Sequence, residues 1–206
     1  MTALHLSFGE LHFHTCRAVF GAGLPWGLAE DAASTAAWLT RCHVDPAPAL
    51  ARMLTDLQQG RSSATPLLFP ADGAPVLQAA SGSRLSALVA GPSAADWWEV
   101  LSAEPGPRLT VQDVDAPGWV TATVAQRTGL AGAASVHRMM DQPPGDLRVD
   151  AALRAMPGAD AVAPPKVVTV AADAWSVVHD FFRQSLVPST DASRQAGAGA
   201  GLVDRD

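Results

Sequence analysis

Lysine is the first thing this chain lacks. Lys166 is its only one, the other basic residues are arginine, and the 14 basic side chains are outnumbered by 20 acidic ones, for a net charge of −6. No cationic footprint is present, which argues against nucleic acid as a partner. Cysteine is scarce too. Cys16 and Cys42 are too few for a disulfide framework and lie in helix-like apolar stretches, so they are expected as reduced thiols in a cytoplasm. No run of about eighteen uncharged apolar residues occurs, and the start, MTALHLSFGE, has no basic-then-apolar leader; neither a membrane span nor a secretion signal is expected. The G-x-S-x-G, CxxC, HExxH and P-loop motifs are all missing, which removes the commonest nucleophile, redox, zinc and nucleotide signatures, and no cofactor is expected. Plentiful instead are apolar residues, 48% of the 206, enough for a core without covalent staples.

The first sixty residues carry the clearest pattern. Leu6-Ser7-Phe8-Gly9-Glu10-Leu11 has the form of a capping box inside a hydrophobic staple and predicts a helix from Phe8 to about Phe20. The corner GAGLPWGLAED, residues 21–31, closes it: Gly21 and Gly23 allow a left-handed backbone, and Pro25 suits the first position of the next helix. That helix should run to about Cys42. Glu30 and Asp31 complement its positive end, and Ala29, Ala32, Ala33, Ala36 and Ala37 make a small-residue face for close packing, with Trp38 and Leu39 beyond it. Trp26 is expected to anchor packing at the corner. Asp45-Pro46 caps a third helix, in which Leu50, Met53, Leu54 and Leu57 keep the period until Gly60.

After a polar linker at 61–65, short apolar runs alternate with Gly and Pro. Strands are predicted at 66–69 and 76–80 around a turn at 70–73, then at 109–114, 135–139, 147–149 and 167–170, the last as an interior strand. Helices are predicted at 84–90, broken by Gly91-Pro92 and resumed over 93–103, and at 173–186, where Trp175, Val178, Phe181, Phe182 and Leu186 recur at helical spacing. Residues 119–126 have β-branched content but a helix-like length and the Gly129 stop; helix is the preferred reading. The fold class is therefore α+β: a three-helix module (1–60) on a small mixed sheet with flanking helices (66–187), followed by a glycine-rich tail (188–206).

The segment LSFGELHFHTCRAVFGAGLPWGLAEDAASTAAWL resembles the N-terminal helices of the malate, L-lactate and ureidoglycolate dehydrogenase family, with its Ser-x-x-Glu cap, Gly-hydrophobic-Pro corner and Ala-rich second helix. In that family the second helix leads into a catalytic Ser-His-Gly motif. The nearest match here, Cys42-His43-Val44-Asp45, comes several residues early and lacks the Gly, so no role passes to His43. The Leu88-Val89-Ala90-Gly91-Pro92-Ser93 turn and the GAGAGLxDxD ending resemble instead an uncharacterised bacterial family of unknown function that implies no settled activity.

Candidate site residues are few. In the tail, Gly197, Gly199 and Gly201 can turn backbone amides toward an anion, with Ser193 and Arg194 beside them and Asp204 able to join Asp206 around a hard cation; a plain solvated tail explains the same composition. His12 and Cys16 share a helix face, but two ligands fall short of a zinc site, so no metal is expected. His137 and His179, the latter followed by Asp180, could form an acid/base pair if strand and helix met. Trp97, Trp98 and Trp119 are read as core more readily than as a pocket lining. The preferred function is an accessory or binding protein of bacterial small-molecule metabolism, with a protein partner or self-association, such as a subunit beside an oxidoreductase. The alternative is an enzyme acting on a small carboxylate through Arg194 and a histidine, His137 or His179; a small carboxylate or other anion is the expected ligand, and enzyme status stays open.

Overall fold

Ser7 starts the helical part as its side chain dictates. Its hydroxyl accepts from the Glu10 amide at 3.1 Å while its own amide donates to the Glu10 carboxylate at 2.8 Å, and helix α1 (Phe8–Gly21) follows. The computed structural model describes residues 2–71, 74–101, 108–129, 140, 142–150 and 165–186. Gly23 takes the left-handed φ of 90° expected of the corner. Pro25 sits one position earlier than its fixed φ suggested: its extended ψ of 150° makes it the cap before helix α2 (Trp26–Arg41), not its first residue. Ala29, Ala32, Ala33 and Ala36 are buried on α2, which packs along α1. Asp45 accepts from the Ala47 amide at 2.9 Å and opens helix α3 (Ala47–Gln58). Its other oxygen accepts from the Ala171 amide at 2.8 Å, so one carboxylate ties the third helix to the last strand.

The main sheet has six strands: β2 (Ser62–Ser63), β3 (Pro66–Ala71), β4 (Ala74–Ala79), β5 (Arg84–Leu85), β6 (Arg108–Val114) and β7 (Gly145–Asp150). β3 and β4 form the expected hairpin, and β6 is the strand on which the sheet converges, parallel to β4 and β5 and antiparallel to β7. Helices α4 (Ala87–Leu101) and α5 (Pro117–Thr128) pack on each other and stand between this sheet and α2. Residues 117–125 of α5 are all buried, as a middle layer requires, and Trp98 and Trp119 are core residues.

Two expectations in this region are corrected. Arg84–Leu85 is a strand, not the start of a helix, and Gly91-Pro92 does not break α4, which runs continuously with Pro92 inside it. A helix-interior proline costs about 3 kcal/mol in isolation. Here the buried run Ala87–Ala95 is clamped on α5, where a Cβ on Gly91 would stand 2.7 Å from the Thr123 hydroxyl. Packing at that crossing outweighs the local penalty. The Thr123 hydroxyl also lies 3.1 Å from that of Thr35, so α2, α4 and α5 meet at one point.

A further correction concerns the chain's two ends. The run predicted as an interior strand is β8 (Val168–Ala171), whose partner among the described residues is β1 (Ala3–Leu6), a strand the sequence reading did not foresee. Val168 and Val170 are buried against the helices, so the β-branched character reflects helix packing and not a sheet interior. Helix α6 (Ala172–Gln184) then crosses α1 and α3. The crossing with α1 is closest at Gly21, where any Cβ would overlap the Phe181 carbonyl oxygen. The expected strand at 135–139 lies outside the described residues. Among the described residues no helix is long and apolar enough to cross a membrane.

Candidate functional site

Of the residues singled out for chemistry, His137, Ser193, Arg194, Gly197, Gly199, Gly201 and Asp204 lie outside the described residues. His179 is described, on α6. Trp175, His179 and Phe182 are spaced to share one helix face, and that face meets α1 at His14. The His14 ring is stacked on Trp175 with centroids 6.0 Å apart, 4.7 Å from Phe182 and 5.8 Å from His179. Asp180, next in sequence, turns to Arg183 at 3.8 Å. Among the described residues His179 therefore meets a second imidazole and aromatic rings; its expected pairing with His137 lies outside them.

Polar satisfaction on this face is incomplete. The Nδ1 of His14 is buried without a hydrogen-bond partner, as is the Nε of Arg17, whose Nη2 donates to the Ser185 carbonyl at 3.0 Å. Burial pushes the His14 pKa below the ordinary imidazole value; the nearby His179 adds to this and Glu10 opposes it. Around these groups large apolar side chains reach solvent: Phe13 is 54% exposed, Phe20 43%, Trp26 45% and Leu186 46%. Phe13 and Phe20, two helical turns apart, share a side of α1; Phe13 packs edge-on to Phe182 and Phe20 edge-on to Trp26. Trp26 was expected to anchor packing. It instead stands at the surface, with its indole N–H donating to Glu30 at 2.9 Å.

A second unusual group lies at the end of β6. Asp115 is fully buried, yet it accepts from the Ser62 hydroxyl and from the Ala87 amide, both at 2.8 Å. It joins β2, β6 and the first turn of α4, where an anion complements the exposed amides. Burial raises its pKa to about 6, against the lowering effect of those two hydrogen bonds. Closed off from solvent, Asp115 is a tie between elements and not a group that meets a ligand.

His12 is exposed while Cys16, one turn on, is buried, and no group of three or more His, Cys, Asp or Glu among the described residues is placed to hold a metal ion. Cys16 and Cys42 are buried and carry no disulfide, and burial pushes both thiols upward in pKa. His14 escaped the sequence reading because only its neighbour His12 shared a face with a possible ligand; the visible signal was Trp175-x3-His179-x2-Phe182 on α6. Asp115 had no local signal at all, since its partners are 53 and 28 residues away.

Residues 6–88, from the end of β1 into the first turn of α4, match the model of a family described as a protein of unknown function (DUF3726). Over that stretch the chain is similar to an uncharacterised family, and the match falls on the helices that resemble the dehydrogenases, not on the 89–93 turn or the tail. No curated protein matches the chain.

Proposed function

We propose that the protein is a noncatalytic accessory protein of small-molecule metabolism that docks a different protein chain through the aromatic side of α1 and α6. The observation that carries this reading is the exposure of Phe13, Phe20, Trp26 and Leu186 beside half-buried His14, Phe182 and His179. Solvent-facing aromatics concentrated on one side of a helix pair are what a partner's apolar surface covers, and tryptophan and phenylalanine are enriched in such contacts. Arg17 is engaged by the Ser185 carbonyl and Arg183 faces Asp180, so the matching surface is chiefly apolar. A net charge of −6 on each chain favours a distinct partner over a second copy. An oxidoreductase subunit in the cytoplasm is the partner class that fits the helix resemblance of residues 6–39.

The alternative, an enzyme acting on a small carboxylate, depended on Arg194 meeting His137 or His179. Arg194 and His137 lie outside the described residues, and the ring neighbours of His179 include His14 and Phe182. Binding is preferred because the sequence carries no recognisable catalytic or cofactor motif.

A photo-crosslinking amino acid placed at Phe20 in the native host tests the docking. It should trap one heterologous protein in fixed stoichiometry, and the purified pair should bind at least about tenfold more weakly once Phe13→Ser and Trp26→Ser are introduced together. A cross-link only to a second copy of this chain, or the same affinity in the double variant, overturns the proposal.

A further inference from the structure

A depression of 340 Å³ opens where α1, α2 and α5 meet, lined by His12, Ser34, Ala37, Trp38, Arg41 and Gln126. Ser34, Ala37, Trp38 and Arg41 follow the i, i+3, i+4, i+7 spacing, so α2 presents them as one stripe; His12 comes from α1 and Gln126 from α5. The small side chain of Ala37 leaves the room, and the Trp38 indole forms an apolar wall. The volume is at the low end of the roughly 300–1,000 Å³ typical of small-molecule sites.

We propose that this depression binds a small organic carboxylate with a planar apolar body, held by Arg41 and packed on Trp38. The donor set carries the argument. Arg61, Arg84, Arg127 and Arg183 each pair with an aspartate; Arg41, like Arg17, Arg52 and Arg148, has no carboxylate ion pair among the described residues, and it alone lines this depression, resting over the Phe8 ring 5.9 Å from its centroid. That contact positions the guanidinium without using its in-plane donors, which match a carboxylate bidentately. The side chains of Ser34, His12 and Gln126 likewise form no hydrogen bonds among the described residues, and no acidic side chain lines the space. Two other depressions among the described residues differ in kind: one carries Asp113 and Asp146, the other Asp45, and either would repel an anion. His12 and His14 project roughly 200° apart around α1, so this site is separate from the docking side.

Isothermal titration of the full chain with benzoate, acetate, inorganic phosphate and benzyl alcohol tests the proposal. Benzoate should bind, with acetate, phosphate and benzyl alcohol each at least about tenfold weaker, since each lacks the apolar body or the carboxylate. Arg41→Gln should weaken benzoate by about tenfold or more without changing the melting temperature, because Arg41 is exposed at a helix end. Arg41→Lys should restore only part of that loss, having no planar fork. Ser34→Leu, which fills the space from the other end of the stripe, should abolish binding while Arg41 remains. No benzoate binding up to about 10 mM, phosphate binding as tight as benzoate, or equal benzoate affinity in wild type, Arg41→Gln and Ser34→Leu each overturns it. None of these outcomes bears on the protein-docking proposal, which involves other residues.

Discussion

His14 and Asp115 are both titratable groups taken out of water, and the molecule treats them in opposite ways. Asp115 has a donor on each carboxylate oxygen and holds a strand end and a helix start together. His14 is surrounded by rings, and its Nδ1 has no partner. A buried polar group left unpaired is a standing penalty, so Asp115 is compensated where His14 is not, and the latter lies on the side where docking is proposed. The contrast is between these two groups and not between whole regions, since at the sheet end Ser86 also keeps a buried hydroxyl without a partner among the described residues.

The comparison breaks most visibly at Asp115. Asp115→Ala should destabilise the fold by about 2–4 kcal/mol in urea unfolding near pH 5, since it leaves the Ser62 hydroxyl and Ala87 amide without their acceptor. The pH dependence sharpens the comparison. With its pKa raised to about 6, ionised Asp115 is disfavoured in the fold, so its contribution to stability grows as pH falls through 6 toward the ordinary carboxylate value. His14, whose pKa is lowered, acts in the other sense: stability falls as pH drops below the ordinary imidazole value because the unfolded chain takes up the proton first. Between about pH 8 and pH 5, wild type should therefore gain roughly 1–2 kcal/mol relative to Asp115→Asn, measured as the difference of their urea midpoints. The smallest effect is at His14 itself. His14→Phe should leave stability unchanged or raise it by up to about 1 kcal/mol, because it removes an unpaired buried nitrogen from an aromatic setting; a loss above that size would mean the imidazole is satisfied in solution.

What could be read from the sequence follows the range of the interactions. Ser7 with Glu10, Asp45 before α3 and Gly129 after α5 act within a few residues, and their helices start and stop where those side chains indicate. Gly91-Pro92 misled because its meaning is tertiary: Gly91 is required by Thr123, on another helix. β1 was invisible for the same reason, since a four-residue strand with exposed side chains takes its identity from its partner. Among site residues, Ser34, Trp38 and Arg41 had a legible spacing, yet their shared depression depends on His12 and Gln126 arriving from other helices. Trp26 looked like an anchor because tryptophans usually are; only the placement of Phe20 and Glu30 shows it at the surface.

The ladder between β1 and β8 brings His5 to Thr169 across 164 residues of chain. Contacts of such long sequence separation form late, because the loop they close must be ordered first. During synthesis α1 emerges early, but its aromatic side is completed only when α6 has left the ribosome and crossed Gly21. If a partner docks on this side as proposed and requires both helices, it would recognise finished chains and ignore truncated ones.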